Sequence, residues 1–417
     1  MRGVGIEVAG GAGMFALGAE MSGLDIHASV EINERHSTAH KQTMPYCTTI
    51  NRDMREVSID SLRRQAGLEK TDIDVVTYSP PPIGLIGGPP CQGLSSMGKR
   101  DPEDPRNKLL HEWARFADEA DVPYACMENV PDLFAKRNER LLGDVIERLQ
   151  RANFNIVEPF QVLDARSFGV PQARKRAVIY AYRSGNAAPE YPVPTHSFAD
   201  DDGSLFYNTP TVADAFVGLP DADEFEELLY RHWVKLQDGP SAPVSAYHAY
   251  CLGLSNDPTD YSYRRVWDRS LLTCSQLTQH TPESIARFMA TAPGKNERTS
   301  RRHRLNPEGY SLTLRAGTGS DKGSFTAVVP IHSKGSRAVT VREAARLQSI
   351  PDWVPLSPVK ITGFQQIGNS VPPLMAKAIV ESIVKAAGII PQMPDVVINI
   401  PRVEHWGNHG HHHSLAA

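Results

Sequence analysis

The first thirty-one residues constrain the fold of this chain more than any other stretch. Val4 to Ala9 reads as a short buried strand that runs into Gly10-Gly11-Ala12-Gly13. A helical segment, Met14 to Ser22, follows, and Gly23 stands where a helix C-cap belongs. Asp25 to Val30 is the next strand, ending at Glu31. Strand, glycine loop, helix, strand and terminal acid make half of a nucleotide-binding βαβ unit. The glycines let the backbone come close to a ligand, and Glu31 sits at a distance suited to a ribose hydroxyl pair. Asp53, beyond the stretch around Ile50, is a candidate third-strand acid near an adenine. The expected fold class is α/β, a doubly wound Rossmann-like domain, and 417 residues leave room for a second, smaller domain.

A second stretch brings chemistry to that frame: Gly87-Gly88-Pro89-Pro90-Cys91-Gln92-Gly93-Leu94-Ser95. The apolar run Ile83 to Ile86 reads as a strand halted by two glycines and two prolines, which turns the chain and presents Cys91 on a loop. Open α/β sheets place their chemistry at the carboxyl ends of strands. A lone cysteine is more often a buried structural thiol; here other stretches supply the groups that a nucleophile needs. The strand Pro123 to Met127 ends in Glu128-Asn129-Val130-Pro131, an acid at a proline turn. Gln172-Ala173-Arg174-Lys175-Arg176 leads into the strand Ala177 to Tyr182, and three cations in that place suit a clamp for phosphate or a base edge better than a core. Leu109 to Ala120, with Leu110, Trp113, Phe116 and Ala117 on one face, and Leu141 to Ala152 read as helices.

Charge is distributed unevenly. The net charge of -4 gives no global case for nucleic acid. Residues 200–230 carry nine acids and no Lys or Arg, a solvated face that would repel nucleic acid. Residues 264–304 invert this, with nine Lys/Arg against three acids, ending in Arg298-Thr299-Ser300-Arg301-Arg302-His303-Arg304. With Tyr261, Tyr263 and Trp267 nearby, that run suits phosphate contacts. Five cysteines without CxxC pairs argue against a disulfide framework or a zinc site and for a reducing compartment. No signal peptide and no membrane-spanning apolar run are visible.

The stretches GGPPCQGLSSMGKR, MENV, QARKR, VTVREAARLQSIPDW and QIGNSVPP, in this order and spacing, resemble the DNA (cytosine-5)-methyltransferase family of prokaryotic type. The resemblance implies S-adenosylmethionine as cofactor, double-stranded DNA as substrate and a flipped-out cytosine as target. Cys91 would add to carbon 6, with Glu128 bonding or protonating the ring nitrogen at position 3. Arg174 and Arg176 would contact the cytosine and the neighbouring backbone. Gly11, Gly13, Glu31, Asp53, Pro90, Asn369 and Val371 would bind the cofactor, and Ser95, Arg301, Arg302 and Arg304 the DNA; no metal is expected.

Two positions depart from the family pattern: Ala9 replaces an adenine-packing aromatic, and Leu94 a phenylalanine. The resemblance also implies a catalytic domain over 1–186, a smaller irregular target-recognition domain over 187–330, a return to the first domain over 331–395, and a tail over 396–417 ending in a His-rich run. Gly363 to Lys385 should pack beside the first strand. Cytoplasmic, nucleoid-associated placement is expected, as a monomer. A cognate restriction endonuclease is the functional partner unless the enzyme is an orphan or phage methylase. Three rivals fit less well. The tRNA-cytosine branch carries a Cys-Phe-Thr tripeptide that this sequence lacks. An idle DNA-binding regulator would not need intact Cys91 and Glu128, and a dinucleotide oxidoreductase would leave Cys91 and the arginines without work.

Overall fold

The computed structural model describes residues 2–69, 72–79, 108–198, 207–237, 242–316 and 329–406. Its centre is an eight-stranded sheet made of β1 (Gly3–Val8), β2 (Leu24–Val30), β3 (Thr48–Ile50), β4 (Val75–Tyr78), β5 (Tyr124–Asn129), β6 (Phe154–Ile156), β7 (Gln161–Asp164) and β9 (Lys175–Arg183). A two-residue strand, β8 (Gln172–Ala173), stands outside it. The order is 3-2-1-4-5-9-6, with β7 also on β9. Strands β1 to β5 pair in parallel, whereas β9 runs antiparallel to β5, β6 and β7.

Parallel neighbours need crossovers, supplied here by α1 (Met14–Met21), α2 (Glu34–Thr43), α3 (Ile59–Ala66) and α4 (Lys108–Glu119); α5 (Glu139–Arg151) follows β5. Strand residues alternate between two cores, as period-two geometry requires. Tyr124 and Cys126 join one core with α1 and helix Pro373–Ala386, while Ala125 and Met127 join the other with α3, α4 and α5. Leu110, Trp113, Phe116 and Ala117 are all buried, as their spacing predicts.

Two placements differ from the sequence reading. Strand β4, Val75–Tyr78, which the sequence reading passed over, fills the centre between β1 and β5; the strand expected over Ile83–Ile86 lies outside the described residues. Helix Pro373–Ala386 rests on α1 rather than beside β1. Gly18 makes room for it: a Cβ there would lie 2.6 Å from both the Pro373 carbonyl and the Lys377 amide.

The irregular region 207–316 carries a small core of its own, Ala222, Leu228, Val234, Leu272 and Leu277, around antiparallel Trp233–Lys235 and Leu271–Thr273. It is stitched to the sheet domain by charge. Arg265, buried, ion-pairs with buried Glu20 of α1 through Nη2 at 2.7 Å, and Tyr46 donates to the same carboxylate at 2.8 Å. Arg264–Val266 pairs in parallel with Val397–Asn399, and Trp406 is buried. Residues 396–406 are therefore packed structure, which corrects the expectation of a tail from 396; the His-rich run lies outside the described residues. Among the described residues, no helix is long and apolar enough to cross a membrane.

Candidate active site

The glycine loop leaves β1 in left-handed backbone, with φ of 56° at Ala9, 55° at Gly11 and 83° at Gly13. Glycine adopts this region without strain. A Cβ on Gly11 would meet nothing within 4 Å, so the loop has an open side there. The Gly11 amide donates to Glu31 Oε2 at 2.9 Å and the Asn33 amide to Oε1 at 2.7 Å. Burial pushes the Glu31 carboxyl pKa up, against these two amides. Asn51 Nδ2 donates to the carbonyls of Glu31 and Ile32 at 2.8 and 3.0 Å, fixing the turn. Ile32, 61% exposed beside Glu31, is an apolar surface that the sequence reading passed over. Its one signal was an isoleucine set among Glu31, Asn33 and Glu34.

Helix Lys360–Asn369 closes on the same turn, since Gln366 Nε2 donates to the Arg35 carbonyl at 3.0 Å and Arg35 Nη1 to Thr362 at 2.9 Å. Asn369 ends that helix, buried, and its Oδ1 has no partner among the described residues; Val371 is buried two positions on. Asp53 is occupied elsewhere. It caps a short 3₁₀ turn and ion-pairs with Arg55 at 2.5 Å, which holds its carboxyl below the usual range. An open Gly11, a fixed acid and an unpaired buried amide oxygen fit a nucleoside with a polar tail.

Beneath the loop lies a polar cluster. Glu7 is fully buried, neither carboxylate oxygen accepts a hydrogen bond among the described residues, and His40 Nδ1 stands 3.8 Å from Oε2. Burial, then Glu31, push the Glu7 pKa well up, while burial lowers His36 and His40 to about 4. A neutral cluster is the form this environment favours.

The second half of the site gathers where β4, β5 and β9 meet. Glu128 lies in β5 and Arg176 in β9, and Arg176 Nε sits 2.6 Å from Glu128 Oε1 with both side chains buried. The Glu128 pKa is raised by burial, against Arg176, Arg174 and a hydrogen bond with Ser79, which directly follows β4. Asn129 Oδ1 accepts from the Val130 amide at 2.8 Å and shapes the turn.

Arg174 departs from expectation. Its guanidinium is buried and donates to the carbonyls of Leu314, Gly368 and Ser370 at 3.2, 3.1 and 2.8 Å. Gln172 and Gln348 extend this web to Leu314 and to the carbonyls of Ile367 and Ser370. Arg174 thus ties three distant segments together instead of facing a groove, with both terminal nitrogens of its buried guanidinium on carbonyls. Of the three cations, Arg174 and Arg176 are buried and Lys175 at the start of β9 is exposed.

The expected phosphate cations divide. Arg304 donates to the carbonyls of Phe288, Thr291, Ser333 and Lys334, and Arg302 to that of Val329 at 2.7 Å. That use corrects the assignment of Arg304 to phosphate, since no part of its fork is left over. Arg301 is exposed and has no partner among the described residues. The acids are partly structural too: Asp214 completes a capping box with Thr211, and Asp221 and Asp223 pair with Arg337. Cys91, Pro90 and Ser95 lie outside the described residues, as do Asp200, Asp201 and Asp202. The other four cysteines, Cys47, Cys126, Cys251 and Cys274, are buried, and burial pushes each thiol up, Cys251 to about 12.

The sequence profile described as C-5 cytosine-specific DNA methylase matches residues 4–385. Type II methyltransferase M.XorII of Xanthomonas oryzae pv. oryzae is 43% identical over 397 residues, covering 95% of this chain and 88% of that protein. Type II methyltransferase M1.HphI of Haemophilus parahaemolyticus is 30% identical, covering 91% and 86%. Among solved structures, a prophage-encoded DNA modification methyltransferase from E. coli superposes with a TM-score of 0.72 at 23% identity, over 93% of this chain and 99% of that one. The S. pombe Dnmt2 methyltransferase does so at 0.51 and 15%, over 92% and 99%. Both likenesses concern the fold.

Proposed function

The chain belongs to the C-5 cytosine-specific DNA methylase family, and from that premise we propose that it methylates carbon 5 of a flipped-out cytosine through a covalent adduct at Cys91. It is a DNA cytosine-5 methyltransferase of restriction-modification type. A functional pairing with a cognate endonuclease and action as a monomer complete the reading. S-adenosylmethionine, held by the Gly11–Gly13 loop, Glu31 and Asn369, supplies the methyl group. The exposed Ile32 offers an apolar surface for the adenine, at a site where Ala9 provides no ring.

The observation that carries the proposal is the buried Glu128–Arg176 pair at the carboxyl ends of β4 and β5, the end at which open α/β sheets bind ligands. Cytosine is a poor electrophile at carbon 6 until charge is drawn to its ring nitrogen at position 3. Glu128, whose carboxyl is biased towards protonation by burial, donates to that nitrogen while the Cys91 thiolate bonds to carbon 6. Arg176 fixes the carboxylate's position. Carbon 5 thereby becomes nucleophilic, and after methylation loss of its proton expels Cys91 and restores the ring. Cys91 is the one thiol left for this work, because the other four are buried with their thiolates disfavoured. The target atom is inaccessible inside a duplex, which makes extrusion of the base necessary.

The test is transfer of labelled methyl from S-adenosylmethionine to duplex DNA, followed by digestion to nucleosides. The label should appear in 5-methylcytosine. Label in N4-methylcytosine or N6-methyladenine, or no transfer, would refute the proposal.

A further inference from the structure

Residues 294–304 form a hairpin. The Gly294 amide donates to the Arg304 carbonyl at 2.9 Å, that of Arg304 to Lys295 at 2.8 Å, and that of Glu297 to Arg302 at 2.8 Å. Asn296 and His303 face each other as an antiparallel bridge, and their side chains meet at 2.9 Å. The stem is locked to the body. Arg304 and Arg302 bind carbonyls of other segments, and the Ile331 amide donates to the His303 carbonyl at 2.8 Å.

The tip is four residues, Arg298 to Arg301, and it is ordered from within. Buried Glu297 accepts from the Thr299 amide at 2.9 Å and from both the amide and the hydroxyl of Ser300 at 2.5 Å. Arg301 is held at φ 58°, a left-handed conformation that disfavours any residue with a side chain. Such strain persists only where the surroundings over-determine it. Arg298 and Arg301 are both exposed, and neither guanidinium has a partner among the described residues.

We propose that Arg298 and Arg301, presented by this hairpin, read guanine edges in the major groove of the DNA and so select which cytosines are methylated. Glu297 acts as the positioning residue for both. The inference rests on the reading of the chain as a DNA cytosine-5 methyltransferase. The major groove admits a two-stranded ribbon, and the arginine fork matches the paired acceptors of guanine. Directional readout needs the backbone that carries the donors fixed before contact, which the Glu297 bonds to Thr299 and Ser300 provide; holding a phosphate does not. Position along the chain agrees. Seven residues beyond Arg304, Ser311–Leu312 pairs with Gln172–Ala173, and Leu314 accepts from Arg174, two positions from Arg176. One segment carries the tip and then borders the catalytic pair.

The experiment is base-resolution mapping of 5-methylcytosine in DNA from cells that express the full chain and otherwise lack cytosine methylation. Wild type is compared with Arg298→Ala, Arg301→Ala and Glu297→Gln. Each arginine variant should relax selection at one base-pair position, by about 5- to 150-fold, adding sites that differ from the wild-type site at that position alone. Glu297→Gln should relax the same positions, which a merely structural hairpin would not do. An unchanged site preference, with weaker methylation everywhere and a salt slope smaller by about one unit per arginine, would assign both to phosphates and overturn the proposal. Variants indistinguishable from wild type would overturn it as well. A wild type that methylates no cytosine would instead refute the enzymatic reading on which the inference rests.

Discussion

Glu128 shows how a single residue acquires its chemistry from its surroundings. Burial favours the neutral carboxyl, and Arg176, Arg174 and Ser79 favour the ionised one. The net effect is an upward shift, so the protonated form survives to higher pH than it does in water. The sign of its contribution to activity follows, because the proton is needed at the cytosine ring: what Glu128 adds to the rate is full below its raised pKa and is lost as pH rises through it. Glu128→Gln should keep the shape but lose the proton. The transfer rate at saturating cofactor should drop by about two to four powers of ten, and this alkaline limb should vanish. S-adenosylmethionine affinity, measured by calorimetry, should hardly move. A collapse of affinity with the rate intact would place Glu128 in the cofactor site. The sequence located Glu128 and Arg176 from their positions at strand ends. It did not reveal that Arg174 turns inward, because the carbonyls of Leu314, Gly368 and Ser370 lie far away along the chain.

Among elements, α1 carries more than its eight residues suggest. Its Gly18 seats helix Pro373–Ala386, and its Glu20 anchors Arg265 from the irregular region. Local pattern foretold α1, α4, α5, β2 and β5: an amphipathic face marks α4 and α5, while turn residues, a glycine or an acid bound the almost wholly buried α1, β2 and β5. Arg265 sits in the cation-rich run 264–304, which sequence alone assigns to phosphate. Its partner lies 245 residues away. Removing one member of a buried pair leaves the other charge uncompensated. Arg265→Met should therefore cost about 3–5 kcal/mol of unfolding free energy, read from denaturant midpoints, and Glu20→Gln in the same chain should recover part of it. A loss below about 1 kcal/mol would show that Tyr46 and the Tyr263 amide suffice to hold Glu20.

At the scale of the whole molecule, three stretches distant in sequence close one site. The first provides the glycine loop and Glu31, the second Glu128 and Arg176, and the third the helix that ends at Asn369. Arg174, Gln172 and Gln348 hold the last two together. The order of motifs made this architecture legible, while the packing of 396–406 against Arg264–Val266 was invisible, because a three-residue parallel pairing leaves no periodic trace. The proposed chemistry converges on one covalent event at Cys91. The direct test is incubation with S-adenosylmethionine and a duplex carrying 5-fluorocytosine at the target position, where fluorine cannot leave as a proton does. Wild type should form a denaturation-resistant protein–DNA adduct whose peptide map places the bond at Cys91, and Cys91→Ala should form none. An adduct at another residue, or methyl transfer retained by Cys91→Ala, would contradict it.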